Sequence, residues 1–157
     1  MKSSLLLPAV ALAMAMAAPH TQAAPNMVGK ALPEAKLHYF DGAVDLKGKP
    51  AIVEFWATWC GPCRAVIPHL NDLYSKYKEK GLTIVGVSVD EEKADVEKFR
   101  AKLGMEYPVA FDEGKKLSTA LNIEAIPYAF VVDKAGKVVW EGISSQLKEE
   151  TIEQILK

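Results

Sequence analysis

The chain contains two cysteines, Cys60 and Cys63, three positions apart. A disulfide between them would close a very short loop and constrain the unfolded chain little, so stabilisation explains the pair poorly. Two thiols at this spacing can instead form and break a disulfide reversibly, or supply half of a four-ligand metal site. Beyond the first 23 residues only His38 and His69 could add nitrogen ligands, and neither adjoins a second cysteine pair. The pattern therefore favours redox chemistry, and no metal is predicted.

The residues around the pair predict a strand, a short turn and a helix. Ala51–Trp56 is a nearly continuous apolar run, which is typical of a strand buried on both faces. Apolar residues then follow helical spacing over Pro62–Lys80. Cys60 would lie at the helix N-terminus, where free N–H groups and the helix dipole favour its thiolate. Cys63 follows on the apolar stripe, so we expect Cys60 to be the nucleophile and Cys63 the buried resolving thiol.

Glu54 is an acidic residue in the middle of this apolar strand. Burying an unpaired carboxylate is costly and raises its pKa. A carboxylic acid that titrates near neutrality close to Cys63 could take the proton that this thiol must lose. The alternative is a strand whose glutamate points to solvent or caps a neighbouring chain. We predict the catalytic role for Glu54, because perturbed acids cluster at functional sites.

The remaining candidates are predicted to contact a substrate. Trp59 is expected to form an exposed apolar rim that suits an extended peptide. Gly61 and Pro62 complete the same loop, and Pro62 suits the first helical turn, where no N–H partner is lost. Pro127 follows Ile126 at the head of another predicted strand, where a proline marks an edge, a bulge or a cis bond. A cis bond would hold the Ile126 backbone toward the active site.

Apolar periodicity predicts alternating strands and helices along the rest of the chain. The other predicted strands are Leu37–Phe40 and Val44–Leu46, joined by a hairpin turn at Asp41-Gly42, followed by Leu82–Val89, Tyr107–Phe111, Tyr128–Val132 and Lys137–Trp140. The other predicted helices follow Asp90, which is expected to cap the first of them, and cover Lys115–Leu121 and Leu147–Leu156. This order predicts an α/β fold with a central mixed sheet and helices on both faces.

The first 23 residues predict a secretory signal peptide. Lys2 precedes an apolar run, Leu5–Ala18, and small residues at the spacing of a cleavage site end at Ala23. We expect an extended N-terminal segment over residues 24–36 and one domain over residues 37–157. Cleavage would leave 18 basic residues (19 less Lys2) and 20 acidic ones, a net charge of −2. Because no basic block stands out, binding to nucleic acid or docking on a membrane through basic residues is not predicted.

Several of these residues resemble the motifs of thioredoxin-like proteins. The matching positions are Phe55-Trp56-Ala57, Trp59-Cys60-Gly61-Pro62-Cys63, the helix-kinking Pro68, the proline loop at Ile126-Pro127, and Gly136 and Gly142 at the closing hairpin. Glu54 takes the place of the family's buried acid, and Gly86 stands where thioredoxin has a lysine. The resemblance covers about residues 30 to 157 and is closest to exported thiol–disulfide oxidoreductases of the TlpA/ResA type, whose additional helix and strand correspond to Asp90–Phe111.

The resemblance implies a thioredoxin-like fold with an additional N-terminal hairpin, an inserted helix–strand unit and a cis peptide bond between Ile126 and Pro127. It also implies a protein-disulfide reductase, which the predicted signal peptide would place in the periplasm. The sequence carries no nucleotide-binding motif, and no cofactor is predicted. The substrates of the reductase would be disulfide-bearing proteins, its electrons would come from a membrane-embedded thiol carrier, and it would act as a monomer. The cytochrome-maturation branch of the family carries an acid just after the second cysteine, where this chain has Arg64-Ala65-Val66-Ile67. The physiological substrate therefore stays open.

The competing interpretations belong to other classes of protein. A disulfide oxidase or isomerase would use the same two cysteines at a different reduction potential. A thiol peroxidase usually has Pro and Thr at fixed places before its reactive cysteine, whereas Ala57 lies three residues before Cys60. A thioredoxin-shaped binding or copper-handling module would not turn over at all, and would keep its function when Cys63 is replaced.

Overall fold

The computed structural model describes residues 25–157, so the predicted signal peptide lies outside the described residues. The strands are β1 (His38–Tyr39), β2 (Ala51–Trp56), β3 (Thr83–Ser88), β4 (Val109–Phe111), β5 (Tyr128–Val132) and β6 (Val138–Ile143). The α-helices are α1 (Gly61–Tyr77), α2 (Lys93–Arg100), α3 (Lys116–Ala120) and α4 (Glu149–Ile155), and short 3-10 turns cover Lys78–Lys80, Glu113–Lys115 and Ser144–Gln146. No helix in residues 25–157 combines the length and apolar character needed to span a membrane.

The six strands form one mixed sheet in the order β1-β4-β3-β2-β5-β6. Strands β2, β3 and β4 run parallel, while β5 and β6 add an antiparallel pair beside β2. β2 is therefore a central strand with hydrogen-bonded neighbours on both sides, which explains its continuous burial. The predicted α/β class, the mixed sheet and the inserted unit formed by α2 and β4 are confirmed.

Helices cover both faces of this sheet, because alternate side chains of β2 enter two different apolar clusters. Ile52 packs with residues of α1 and α4, including Leu70 and Ile152. Phe55 packs on the other face with residues of α2 and α3, including Val96. The strand thus anchors two layers of helix, and the active-site loop that follows Trp56 leaves from a fixed point.

The predicted N-terminal hairpin is wrong. His38–Tyr39 forms a strand, but it pairs antiparallel with Ala110 and Phe111 of β4, and no strand forms over residues 44–46. The β4 edge offers unpaired backbone groups, and pairing there satisfies them. Val44 and Leu46 instead pack their side chains against the apolar cluster on that face of the sheet.

The predicted helix cap at Asp90 is also wrong. Helix α2 begins at Lys93, and its N-cap residue Glu92 makes no side-chain capping hydrogen bond. The Asp90 carboxylate accepts hydrogen bonds from Thr58 and Ser88 instead. The cap prediction failed because a buried carboxylate takes the donors that tertiary packing brings to it, and local sequence does not reveal them.

Candidate active site

A tight turn carries the chain from β2 into α1 and places Cys60 at the helix N-terminus. The N–H of Cys60 donates to the carbonyl oxygen of Ala57 at 3.1 Å, which closes the turn. Cys60 is the N-cap residue of α1, and its Sγ accepts a hydrogen bond from the N–H of Cys63 at 3.2 Å. A sulfur in this position receives a backbone donor and the positive end of the helix dipole. Gly61 and Pro62 are exposed in the first helical turn.

Cys63 lies one helical turn beyond Cys60 and forms a disulfide with it. Their Cα atoms are 5.3 Å apart, within the usual range for a disulfide. Cys63 is 1% exposed and Cys60 is 5% exposed, so both residues are buried and Cys60 is the more exposed of the two. The predicted burial of Cys63 is confirmed. The two sulfurs are close enough to form and break a disulfide with each other.

The loop before β5 approaches the same sulfur from another part of the chain. The Ile126–Pro127 peptide bond is cis, as the resemblance implied. The carbonyl oxygen of Ile126 lies 3.9 Å from Cys60 Sγ. Pro127 directly precedes β5, so this loop brings the Ile126 carbonyl to the cysteine from the start of that strand.

A groove of about 230 Å³ adjoins Cys60, because its lining includes the preceding residue, Trp59, and Ile126, whose carbonyl oxygen approaches Cys60 Sγ. Trp59 is 67% exposed. Lys115 and Glu124 lie along the same groove. An apolar rim next to a reactive sulfur suits a peptide segment that carries a disulfide. The predicted exposure of Trp59 is confirmed.

Glu54 lies in the middle of β2 and is 2% exposed, so the alternative of a solvent-facing glutamate is wrong. Side chains two positions apart on a strand share a face, and Ile52 packs against α1. The Glu54 carboxyl therefore points to the face that α1 covers, the helix that carries Cys63. Desolvation by burial raises the pKa of this carboxyl to about 8.

Gly86 lies directly beside Glu54 on the adjacent parallel strand β3. A Cβ at this position would come within 2.9 Å of Met105 Cε and 3.1 Å of Trp56 Nε1 and Tyr107 Cε2. The space in which thioredoxin's lysine would extend is therefore filled by neighbouring side chains. No ionic partner from β3 can offset the desolvation of Glu54.

Sequence reasoning missed Thr58 and Asp90, which hold the active-site loop. Thr58 lies between the motif residues Ala57 and Trp59, and its position in the turn was a signal that could have been used. Asp90 lies two residues beyond β3, at the carboxyl end of a parallel strand, where functional side chains often gather. Its partner is 32 positions away in the chain, so spacing alone could not identify the contact.

The sheet order, the cis-proline loop and the disulfide at the N-terminus of α1 define a thioredoxin-like thiol–disulfide oxidoreductase. Over residues 22–141 the chain matches the AhpC/TSA family, and it belongs to that family. The thiol–disulfide oxidoreductase ResA of Bacillus thuringiensis strain Al Hakam is 41% identical over 127 residues, which are 81% of this chain and 71% of that protein. ResA of Geobacillus thermodenitrificans strain NG80-2 is 34% identical over 134 residues, with 83% and 76% of the two chains covered.

A solved structure shows the same fold. The crystal structure described as a thiol:disulfide interchange protein DsbE from Chlorobium tepidum superposes with a TM-score of 0.77 and 32% identity. The match covers 83% of this chain and 98% of that one. The similarity therefore spans the whole thioredoxin-like domain rather than the cysteine motif alone.

Proposed function

We propose that this protein reduces disulfide bonds of other proteins outside the cytoplasm, with Cys60 as the nucleophile and Cys63 as the resolving thiol. The observation that carries the proposal is the position of Cys60 Sγ. It accepts the Cys63 N–H at the helix N-terminus and lies 3.9 Å from the Ile126 carbonyl oxygen, beside the Trp59 groove. A substrate disulfide seated in that groove would meet Cys60, the more exposed of the two cysteines.

The reaction begins with both cysteines reduced. The Cys60 thiolate attacks one sulfur of the substrate disulfide, forms a mixed disulfide and releases the other substrate sulfur as a thiolate, which takes a proton from solvent. The Cys63 thiol then loses its proton, and its thiolate attacks Cys60 Sγ in the mixed disulfide. The second substrate thiolate leaves. Two electrons have passed to the substrate, and the Cys60–Cys63 disulfide seen in the structure remains.

Glu54 supports the second step as the group that accepts the Cys63 proton. Its carboxyl is buried on the face covered by α1, and burial raises its pKa to about 8. A base with a pKa close to that of a thiol can exchange a proton with it at little cost in free energy. Gly61 and Pro62 on one side and Ile126 and Pro127 on the other would contact the substrate chain around the reacting sulfur.

The place of action follows from the N-terminal sequence. Residues 1–23 would direct export and be cleaved, leaving the N-terminal segment of residues 24–36 and the domain of residues 37–157 in the periplasm. A reductase there needs a continuing supply of electrons, and a membrane-embedded thiol carrier would supply them by exchange with the Cys60–Cys63 disulfide. We propose that the protein acts as a monomer.

Trapping of the mixed disulfide tests the proposal. Cys63→Ser should leave Cys60 able to attack but unable to be released, so disulfide-linked partners accumulate in the periplasm. Cys60→Ser is the matched control and should accumulate none. Identification of the partners by mass spectrometry would show whether apocytochrome c is among them. Equal trapping by both variants would contradict the assigned roles.

The reduction potential of the Cys60–Cys63 pair tests whether the protein reduces or oxidises its substrates. The reduction potential of a reducing dithiol is expected near the thioredoxin value of about −270 mV, whereas that of a strong oxidant is about −120 mV. Equilibration of the purified protein with glutathione buffers measures it. A potential close to the second value would overturn the reductase direction and favour the oxidase alternative.

A further inference from the structure

The carboxylate of Asp90 is buried and holds the active-site loop. Asp90 is 4% exposed and lies two residues beyond Ser88, the last residue of β3. Its Oδ1 accepts from the Thr58 hydroxyl at 2.7 Å, and its Oδ2 accepts from the Thr58 N–H at 3.0 Å and from the Ser88 hydroxyl at 2.7 Å. The Asp90 N–H donates to Ser88 Oγ at 3.1 Å. Both carboxylate oxygens are therefore satisfied.

The donors to this carboxylate are neutral. The three ion pairs found among residues 25–157 join other side chains. A buried carboxylate without a cation depends on its hydrogen bonds, and loss of one donor leaves it under-solvated. Two of the donor groups belong to Thr58. Burial of the Asp90 carboxylate therefore requires Thr58 to stay in the position from which both groups can donate to it.

Thr58 is held from its other side as well. Its carbonyl oxygen lies 3.5 Å from Arg64 Nη1, on the first turn of α1. The turn that contains it is closed by the Cys60 N–H and the Ala57 carbonyl oxygen. The N–H, the hydroxyl and the carbonyl of one residue are thus all engaged, and the next residue in the chain is the exposed Trp59.

We propose that Asp90 is a positioning residue for substrate binding: through Thr58 it fixes the position of Trp59 in the groove that Ile126 also lines. Val89, which precedes Asp90, lines the same groove. The hydrogen bonds between Asp90 and Thr58 therefore hold Val89 and Trp59, two parts of the groove lining, relative to each other. The inference rests on the proposed function, because it concerns the groove in which the substrate peptide would bind. Displacement of a binding surface by about 1 Å can cost on the order of 100-fold in rate.

The test compares Thr58→Val with Thr58→Ser. Valine keeps the shape and the N–H of residue 58 but removes the hydroxyl that donates to Asp90, whereas serine keeps the hydroxyl. Asp90→Asn is a second variant that keeps the side-chain shape and removes the charge. Each protein is reduced, and the dependence of its single-turnover rate on insulin concentration separates substrate affinity from the limiting rate.

We expect Thr58→Val and Asp90→Asn to weaken insulin binding on the order of tenfold, with a smaller change in the limiting rate. Thr58→Ser should remain within about twofold of the wild type. Alkylation of Cys60 by iodoacetamide, a small probe that needs no groove, should change by less than about twofold in all variants. The anisotropy of Trp59 fluorescence, obtained by difference from the same variant carrying Trp59→Phe, should fall with Thr58→Val and recover with Thr58→Ser.

Three results would overturn the inference: insulin binding by Thr58→Val equal to that of the wild type, an equal loss in Thr58→Ser, or a parallel loss in iodoacetamide reactivity. A merely structural role would lower the unfolding temperature without moving the affinity or the Trp59 anisotropy. If the wild-type protein does not reduce insulin, the proposed direction of reaction fails. The anisotropy comparison still tests the positioning role in that case.

Discussion

Glu54 and Gly86 lie side by side on paired strands, and the glycine offers the buried carboxyl no side chain. Met105, Trp56 and Tyr107 fill the space above Gly86. The Glu54 carboxyl therefore loses water without gaining a cation from β3, and this desolvation raises its pKa to about 8. The pKa of Glu54 is therefore set by burial and not by a charged partner on β3.

The raised pKa predicts how stability varies with pH. In the unfolded chain Glu54 ionises near pH 4.5, whereas in the folded protein it keeps its proton to about pH 8. The folded state binds the extra proton between these values, so the free energy of unfolding of the oxidised protein falls as pH rises from about 4.5 to about 8. The loss is on the order of 4 kcal/mol.

Glu54→Gln removes this titration, so its stability should change less over the same pH range and should exceed that of the wild type at pH 8. Urea unfolding of both oxidised proteins at a series of pH values measures the difference. Parallel stability curves for the two proteins would contradict the prediction.

The same substitution tests the proposed proton transfer. If Glu54 accepts the Cys63 proton, Glu54→Gln should slow release of the second substrate thiolate by roughly 100-fold at neutral pH. The rise of the wild-type rate with pH, as the carboxyl ionises, should be lost. Quenched-flow measurement of the mixed disulfide with insulin follows this step. Alkylation of Cys60 is the control, and a change there as large as in the second step would assign the effect to the first cysteine.

Gly86→Ala should destabilise the protein by about 1–3 kcal/mol, because the added methyl group overpacks the core. Its Cβ would lie 2.9 Å from Met105 Cε. Met105→Ala in the same chain should restore part of the loss by making room. Gly61→Ala is the matched control, since its Cβ would meet only Arg64 Nη2 at 3.9 Å. Denaturant unfolding compares the variants, and equal effects of the two single glycine substitutions would disprove the packing argument.

Trp59→Ala should separate function from stability. Trp59 is 67% exposed, so its removal should change the free energy of unfolding by less than about 0.5 kcal/mol. Loss of the groove wall should lower the second-order rate with insulin on the order of tenfold. Val139→Ala removes another exposed apolar side chain from the distant end of β6 and should leave that rate unchanged. A rate equal to the wild type for Trp59→Ala would remove Trp59 from the substrate groove.

The sequence by itself determined the local features of this protein: the cysteine pair and the strand and helix on either side of it. Apolar periodicity and the properties of Gly and Pro act over a few residues, so they can be read directly from the chain. Tertiary structure alone decided that His38–Tyr39 pairs with β4, and that Asp90 binds Thr58 instead of capping α2. It also placed the Ile126 carbonyl against Cys60, a contact between residues 66 positions apart. Contacts at such separations depend on which elements pack together, because a buried polar group takes whichever partners the folded chain brings within reach.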